Sequence, residues 1–235
     1  MALFVVAVPV FLLLTNVRIA AMEPRVYEYG FDRYDAVART GIDRPQLDRA
    51  ARQIARYFRD GESMLDVRVD LDGREQPLFN PREVLHMRDV KALFQFVFAV
   101  HEIALVYVVG YVAAVFLWSR ERPLRRLADQ CVLAGTATAG VMALAALATV
   151  VGFDELFRQF HLLSFANDFW LLDPRTDRLV QMFPRGFWFD VSMGVGVLTV
   201  LEGGLLALVG YAYRVSLDRR RRRSARLSRL ATEEA

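Results

Sequence analysis

Four stretches of this chain are apolar over the length of a bilayer crossing, and nothing else in the sequence constrains the fold as strongly. They run over 2–22, 92–118, 130–151 and 191–213. A crossing helix needs ~20 predominantly apolar residues. The 54% hydrophobic content points the same way. The expected fold class is an α-helical polytopic membrane protein: four transmembrane helices with a small mixed α/β extracytoplasmic cap.

The first stretch, ALFVVAVPVFLLLTNVRIAAM, has a rival reading as a secretory signal peptide, with Ala20-Ala21 in the place of a cleavage site. No basic residue precedes its apolar run, which favours a retained helix. Arg18 then carries its guanidinium outward to the interface. The third stretch is rich in Ala, Gly and Thr, and the fourth carries Gly194, Gly196, Gly203, Gly204 and Gly210. Small residues of this kind let helices approach closely in lipid. Cys131 is the only cysteine, so no intrachain disulfide or cysteine-based metal site is available.

Charge sets the expected orientation. The link at 119–129 is short and carries Arg120, Arg122, Arg125 and Arg126, and the tail at 214–235 holds five consecutive arginines. Short arginine-rich segments stay in the cytoplasm. Both ends are then inside, with 23–91 and 152–190 outside. The arginines of 23–91 do not oppose this, because long segments translocate largely regardless of charge. The tail reads as a topology anchor and lipid-surface contact. It is not expected to bind nucleic acid, since no nucleic-acid fold or aromatic platform accompanies it.

The segment 23–91 reads as a small water-facing domain. GIDRPQLDRAARQIARYFRDG offers Asp43 as N-cap, Pro45 in the first turn, an apolar face of Leu47, Ala51, Ile54 and Phe58, and Gly61 as a stop. Leu65, Val67, Val69 and Leu71 alternate with Asp66, Arg68 and Asp70, and Asp72-Gly73 is a hairpin signal. Asn80-Pro81-Arg82-Glu83 then opens a helix, with Asn80 as N-cap and Glu83 placed to reach back as in a capping box. That puts His86 on the second turn of a short helix, and Asp89 is expected to cap the next one.

Three histidines are present: His86, His101 and His161. His101-Glu102 begins like a metalloprotease motif, but Leu105 stands where the second histidine belongs, so the signal fails. The two side chains also point about 100° apart on a helix. His101 is read as structural, and Glu102 and Glu202 as lining or pairing within the bundle. His86 and His161 lie in the two outer segments, each beside a carboxylate (Asp89; Asp168) able to orient an imidazole. Each is also near an amide (Asn80; Asn167) able to donate to a developing oxyanion. Phe160, Phe165, Phe169, Trp170 and Phe183 surround them in sequence and suit a water-poor pocket. On the residues alone, catalysis and simple packing of interfacial histidines within an aromatic belt both stay open.

LFNPREVLHMRDVK at 78–91 and FHLLSFANDFWLLDPRTDRLVQMFP at 160–184 resemble the two signature blocks of the bacterial lipoprotein intramolecular transacylases, also known as four-span membrane proteins of undefined role. Span order and orientation agree along nearly the whole chain. The resemblance implies an extracytoplasmic cap over four helices, with the site where cap meets membrane. It implies transfer of the sn-2 acyl chain of a diacylglyceryl lipoprotein to the amino group of its N-terminal cysteine. The product is an N-acyl lyso-lipoprotein. His86 and His161 fall on the family's catalytic positions, supported by Asn80, Glu83, Asp89, Asn167 and Asp168.

That reaction requires no metal and no cofactor, and its partners are diacylglyceryl lipoproteins and membrane lipid. Two rival readings stand beside it. One is a lipid hydrolase, histidine- or metal-dependent, since two histidines and an aspartate can hold zinc. The other is a non-enzymatic assembly or chaperone factor for envelope proteins. A transporter fits less well, because the polar features gather outside the spans.

Overall fold

The computed structural model describes residues 2–71, 73–118 and 121–233, with side chains described for all of these except 121–123 and 224–233. Asp72 of the expected turn and Arg120 of the expected cytoplasmic link lie outside the described residues, as does the side chain of Arg122. The elements in chain order are α1 (Ala2–Met22), α2 (Pro24–Arg33), α3 (Ala36–Thr40), α4 (Arg44–Tyr57), β1 (Arg68–Leu71), β2 (Arg74–Pro77), α5 (Pro81–Trp118), α6 (Glu121–Ser164), α7 (Arg178–Met182) and α8 (Arg185–Glu233). Four helices are long and apolar enough to cross a membrane: Ala2–Met22, Pro81–Trp118, Leu124–Ser164 and Arg185–Arg223. The chain packs as two compact units.

The first unit comprises Leu14–Val100 and Ala145–Gly196. Its core is formed by α4, whose Leu47, Ala51 and Ile54 are fully buried, together with Tyr27, Phe31, Val67, Val69, Phe79, Met182 and Phe187. Asp43 caps α4 as expected, accepting from the Gln46 N–H at 2.9 Å. The helix ends at Tyr57, ahead of Gly61, because Tyr57 and Phe58 turn inward and are buried. Lys91 then ties down the following loop, donating to Asp60 Oδ1 at 2.8 Å and to the Glu62 carbonyl at 2.7 Å. β1 and β2 form the expected antiparallel hairpin, with Val69 opposite Gln76.

Three helices run further than their sequence signals. Asp89 does not cap a new helix: α5 is continuous from Pro81, because no Gly or Pro follows before Gly110, well inside the apolar stretch, and the Asp89 carboxylate is engaged by Asn167. α6 is kinked at Gly152, whose φ −147 and ψ 41 are not helical, and a second helical segment follows it to Ser164. α8 begins at Arg185, ahead of the apolar stretch, because its first turn packs against α2. There, a Cβ on Gly186 would lie 2.5 Å from the Tyr34 ring, and a Cβ on Gly30 would lie 2.5 Å from the Phe187 ring. The Tyr29 and Tyr34 hydroxyls both donate to Asp190 Oδ2, at 2.8 and 2.6 Å.

The second unit comprises Met1–Leu13, His101–Leu144 and Val197–Ala235. Phe4, Val8, Leu127 and Ala134 are buried at its centre. The small residues have the expected use, since a Cβ on Gly135 would sit 2.4 Å from the Gly203 carbonyl oxygen. Arg125 pairs with Asp218 at 2.7 Å and Arg214 with Asp129 at 3.3 Å. His101 stacks on Phe11, rings 5.5 Å apart, a packing role in keeping with its structural reading.

Candidate active site

The site is organised by the first turn of α5. Asn80 Oδ1 accepts the Glu83 N–H at 3.0 Å, and Glu83 Oε2 accepts the Asn80 N–H at 2.8 Å, which completes the capping box. The other oxygen of Glu83 accepts the Leu179 N–H of α7 at 2.6 Å. Asp177 precedes α7 as its cap residue but makes no side-chain cap bond to that helix. Its Oδ1 instead accepts from Asn80 Nδ2 at 2.9 Å, and its Oδ2 from the Asp173 N–H at 2.7 Å. Glu83 thus supplies to α7 the acceptor that Asp177 does not, and the two helix N-termini are cross-capped. Burial raises the Glu83 carboxyl above the ordinary carboxylate range, against the lowering effect of its two N–H donors.

One turn along α5, ahead of the apolar stretch that begins at Ala92, sits His86. His161 sits on the last turn of α6. Both are buried, and their ring centroids lie 6.1 Å apart. Phe165 stands edge-on to His86 at 5.2 Å and packs on His161 at 5.7 Å. Phe157, Trp170 and Phe160 close around His161 at 4.3, 4.9 and 5.2 Å. Burial lowers the pKa of both imidazoles. That of His86 falls to about 4, driven by burial first and His161 second, with Asp89 opposing. That of His161 is lowered by burial, with the Phe157 carbonyl opposing. At neutral pH both rings are therefore uncharged, the state in which an imidazole can accept a proton.

The tautomer of His161 follows from its partner. Nδ1 lies 2.7 Å from the Phe157 carbonyl oxygen. A carbonyl only accepts, so Nδ1 carries the proton and Nε2 holds the free lone pair. His86 Nδ1 is buried without a hydrogen-bond partner among the described residues. A buried polar atom left unpaired is expensive, so this atom is available to a substrate group.

The expected supporting residues divide. Asp89 does not orient His86 by a hydrogen bond: it accepts from Asn167 Nδ2 at 2.8 Å and from Arg88. Asn167 in turn accepts the Phe169 N–H at 3.1 Å, so it shapes the turn after α6. Asp168 lies on the outside of that turn, mostly exposed, with Arg82 3.6 Å away, and does not reach His161. Asn80 is committed to Asp177. Of the expected pocket aromatics, Phe160, Phe165 and Trp170 pack on His161. Among the described residues no ring stacking joins Phe169 to either histidine. Phe183 belongs to the cap core, against Tyr27, Phe31, Phe187 and Trp188. Two contributors went unread in the sequence. The Phe157 carbonyl lies four residues before His161 and becomes visible once α6 is carried past Gly152. Asp177, in TDRLVQM, bears the composition of a helix cap. Among the described residues no three His, Cys, Asp or Glu side chains are grouped to hold a metal ion.

Residues 2–188 match the family described as lipoprotein intramolecular transacylase Lit. An uncharacterized protein of Aquifex aeolicus (strain VF5) is 28% identical over 133 residues, 56% of this chain and 56% of that protein. The chain thus spans about half the length of that relative. The fold is similar to the membrane integral lipoprotein intramolecular transacylase of Bacillus cereus, with TM-score 0.74 and 18% identity, covering 92% of this chain and 94% of that one. A histidine-to-alanine variant of the same protein aligns with TM-score 0.66 and 19% identity, over 93% and 94% of the two chains. With this fold and four bilayer-length apolar helices the protein is membrane-integral. Matched over most of its length, the chain belongs to the lipoprotein intramolecular transacylase family.

Proposed function

We propose that the protein is an acyltransferase that moves the sn-2 acyl chain of a diacylglyceryl lipoprotein to the α-amino group of its N-terminal cysteine. The observation that carries this reading is the pair of buried imidazoles 6.1 Å apart inside an aromatic shell. The amine attacks the ester carbonyl carbon, a C–N bond forms, and the C–O bond to the glyceryl oxygen breaks. One proton leaves the nitrogen and one arrives on the glyceryl oxygen, so the step is proton-neutral. A free α-amino group has a pKa of about 7.7–8.0, so a base that is unprotonated at neutral pH helps to release the nucleophile. His161 Nε2 is such a base, and His86 supplies the second position for proton transfer. Each transfer is worth typically ~10²–10⁴ in rate. Phe160, Phe165 and Trp170 keep water from hydrolysing the ester instead. The short arginine-rich link and tail support an orientation with both ends in the cytoplasm and the site on the extracytoplasmic side.

The test is fragment-ion mass spectrometry of the N-terminal lipopeptide of a reporter lipoprotein, co-expressed in a bacterium that lacks N-acylation of mature lipoproteins. Total mass does not change, so fragment ions report the shift of one acyl chain from glycerol to nitrogen. Conversion is expected with the wild-type chain. His86→Ala and His161→Ala are each expected to slow it by roughly 10²–10⁴-fold. A well-expressed wild-type chain that leaves the lipopeptide unchanged removes the reading. Conversion that survives both replacements removes the histidines from it.

A further inference from the structure

Beyond Gly152, α6 is amphipathic in a way that the proposed chemistry does not use. Phe157 and His161 turn inward, while Leu156, Phe160 and Leu163 point out, and Leu163 is 87% exposed. At about 100° per residue these three fall within an arc of about 60°. Glu155 and Arg158 lie about 100° or more from Leu156 and pair with each other at 2.9 Å. Asp154 pairs with Arg185. The charges are thus satisfied off the apolar stripe. Immediately before Gly152 the same helix exposes Leu147, Val150 and Val151. These lie in a helix long and apolar enough to cross a membrane.

We infer that the stripe Leu156–Phe160–Leu163 is a lipid-binding face, seated among the acyl chains of the leaflet on the side of the active site. Its occupant is identified by continuity: the helical segments on both sides of the Gly152 kink expose large apolar side chains, and the charges beyond it are kept to other faces. Three large apolar side chains in water would be an unfavourable patch, whereas in a leaflet they are worth ~25 cal/mol for each Å² removed from water. Phe160 belongs to this face and also stands edge-on to His161 and Phe165, at 5.2 and 6.4 Å. On the acyltransferase reading, which this one consequence needs, an acyl chain reaches the histidines along Phe160 without crossing water. The lipid contact itself needs no turnover.

The full-length chain carrying Cys131→Ala is labelled with a nitroxide at Leu163→Cys, Leu156→Cys, Glu155→Cys or Gln76→Cys. Each is reconstituted in phosphatidylethanolamine–phosphatidylglycerol vesicles. Power saturation then compares collisions with oxygen, which concentrates in lipid, and with a water-soluble nickel chelate. Oxygen is expected to dominate at 156 and 163, and nickel at 155 and 76. Nickel dominance at either 156 or 163 overturns the inference, because the face is then in water. Low collision with both agents at those positions also overturns it, because protein then covers them. Oxygen dominance at 155 removes the claim of a single face. Two labels on the stripe guard against one that disturbs the fold, and no outcome depends on acyl transfer.

Discussion

At the scale of single residues, the working state of the site is set by burial. His86 and His161 are shielded by aromatic rings, and desolvation disfavours their charged forms. The unfolded chain protonates His86 near the ordinary value of about 6.5, and the folded chain near about 4. Between these pH values the unfolded state binds the extra proton, so stability falls as pH falls through the window. The loss approaches about 1.4 kcal/mol per pH unit for one such group. His86→Gln removes this dependence, so the wild type is expected to lose more thermal stability than the variant between about pH 6.5 and 4. With only three histidines in the chain, ¹⁵N-histidine NMR reads the same effect directly. The His86 resonances are expected to stay those of a neutral ring well below pH 6, and a midpoint near 6.5 would refute the argument.

At the scale of elements, the histidine on α5 owes its placement to a carboxylate that serves two helices. Glu83→Ala leaves the buried Leu179 N–H and the half-buried Asn80 N–H without their acceptor. At about 1–3 kcal/mol for each unsatisfied group, a loss of roughly 2–6 kcal/mol is expected. Amide exchange at Leu179 should accelerate with it, and unchanged protection there would show that α7 does not depend on Glu83. Half of this arrangement was legible. The capping box is written in Asn80-Pro81-Arg82-Glu83, because caps are local. The second partner of Glu83 lies 96 residues away and leaves no local trace. The same reason explains why α5 runs on past Asp89: the residue resembles a cap, but a tertiary partner engages its carboxylate. Composition likewise could not separate Phe165, beside the histidines, from Phe183 in the cap core. Both are buried aromatics, and only packing tells them apart. The close contact of α6 and α8 makes a sharper case. Gly135→Ala would press a methyl against the Gly203 carbonyl oxygen and the Ala207 nitrogen. It should destabilise the protein by roughly 1–3 kcal/mol. Gly140→Ala meets nothing within 4 Å, and should be neutral or stabilising by about 0.5–1 kcal/mol through helix propensity. Equal melting temperatures for these two variants in detergent would argue against backbone contact.

At the scale of the whole molecule, helix length exceeds what a bilayer can hold, and charge decides which ends stay wet. At 1.5 Å per residue, the 38 residues of α5 extend about 57 Å, against a hydrocarbon core of about 30 Å. The surplus at the start of α5 carries Asn80, Glu83 and His86, and the surplus at the end of α6 carries His161. Both helices therefore present their site residues beyond one end of an apolar stretch. Arg125, Arg214 and the run Arg219–Arg223 lie beyond the opposite ends. The proposed orientation puts the histidine end outside the cytoplasm, and the short arginine-rich segments beyond the other ends support it through the positive-inside rule. The orientation is testable without turnover. In a Cys131→Ala background, Gln76→Cys on β2 should react with a membrane-impermeant maleimide in intact cells whose outer barrier has been opened. Arg220→Cys should react only after the inner membrane is breached. The opposite pattern would place the histidine end in the cytoplasm and overturn the proposed orientation.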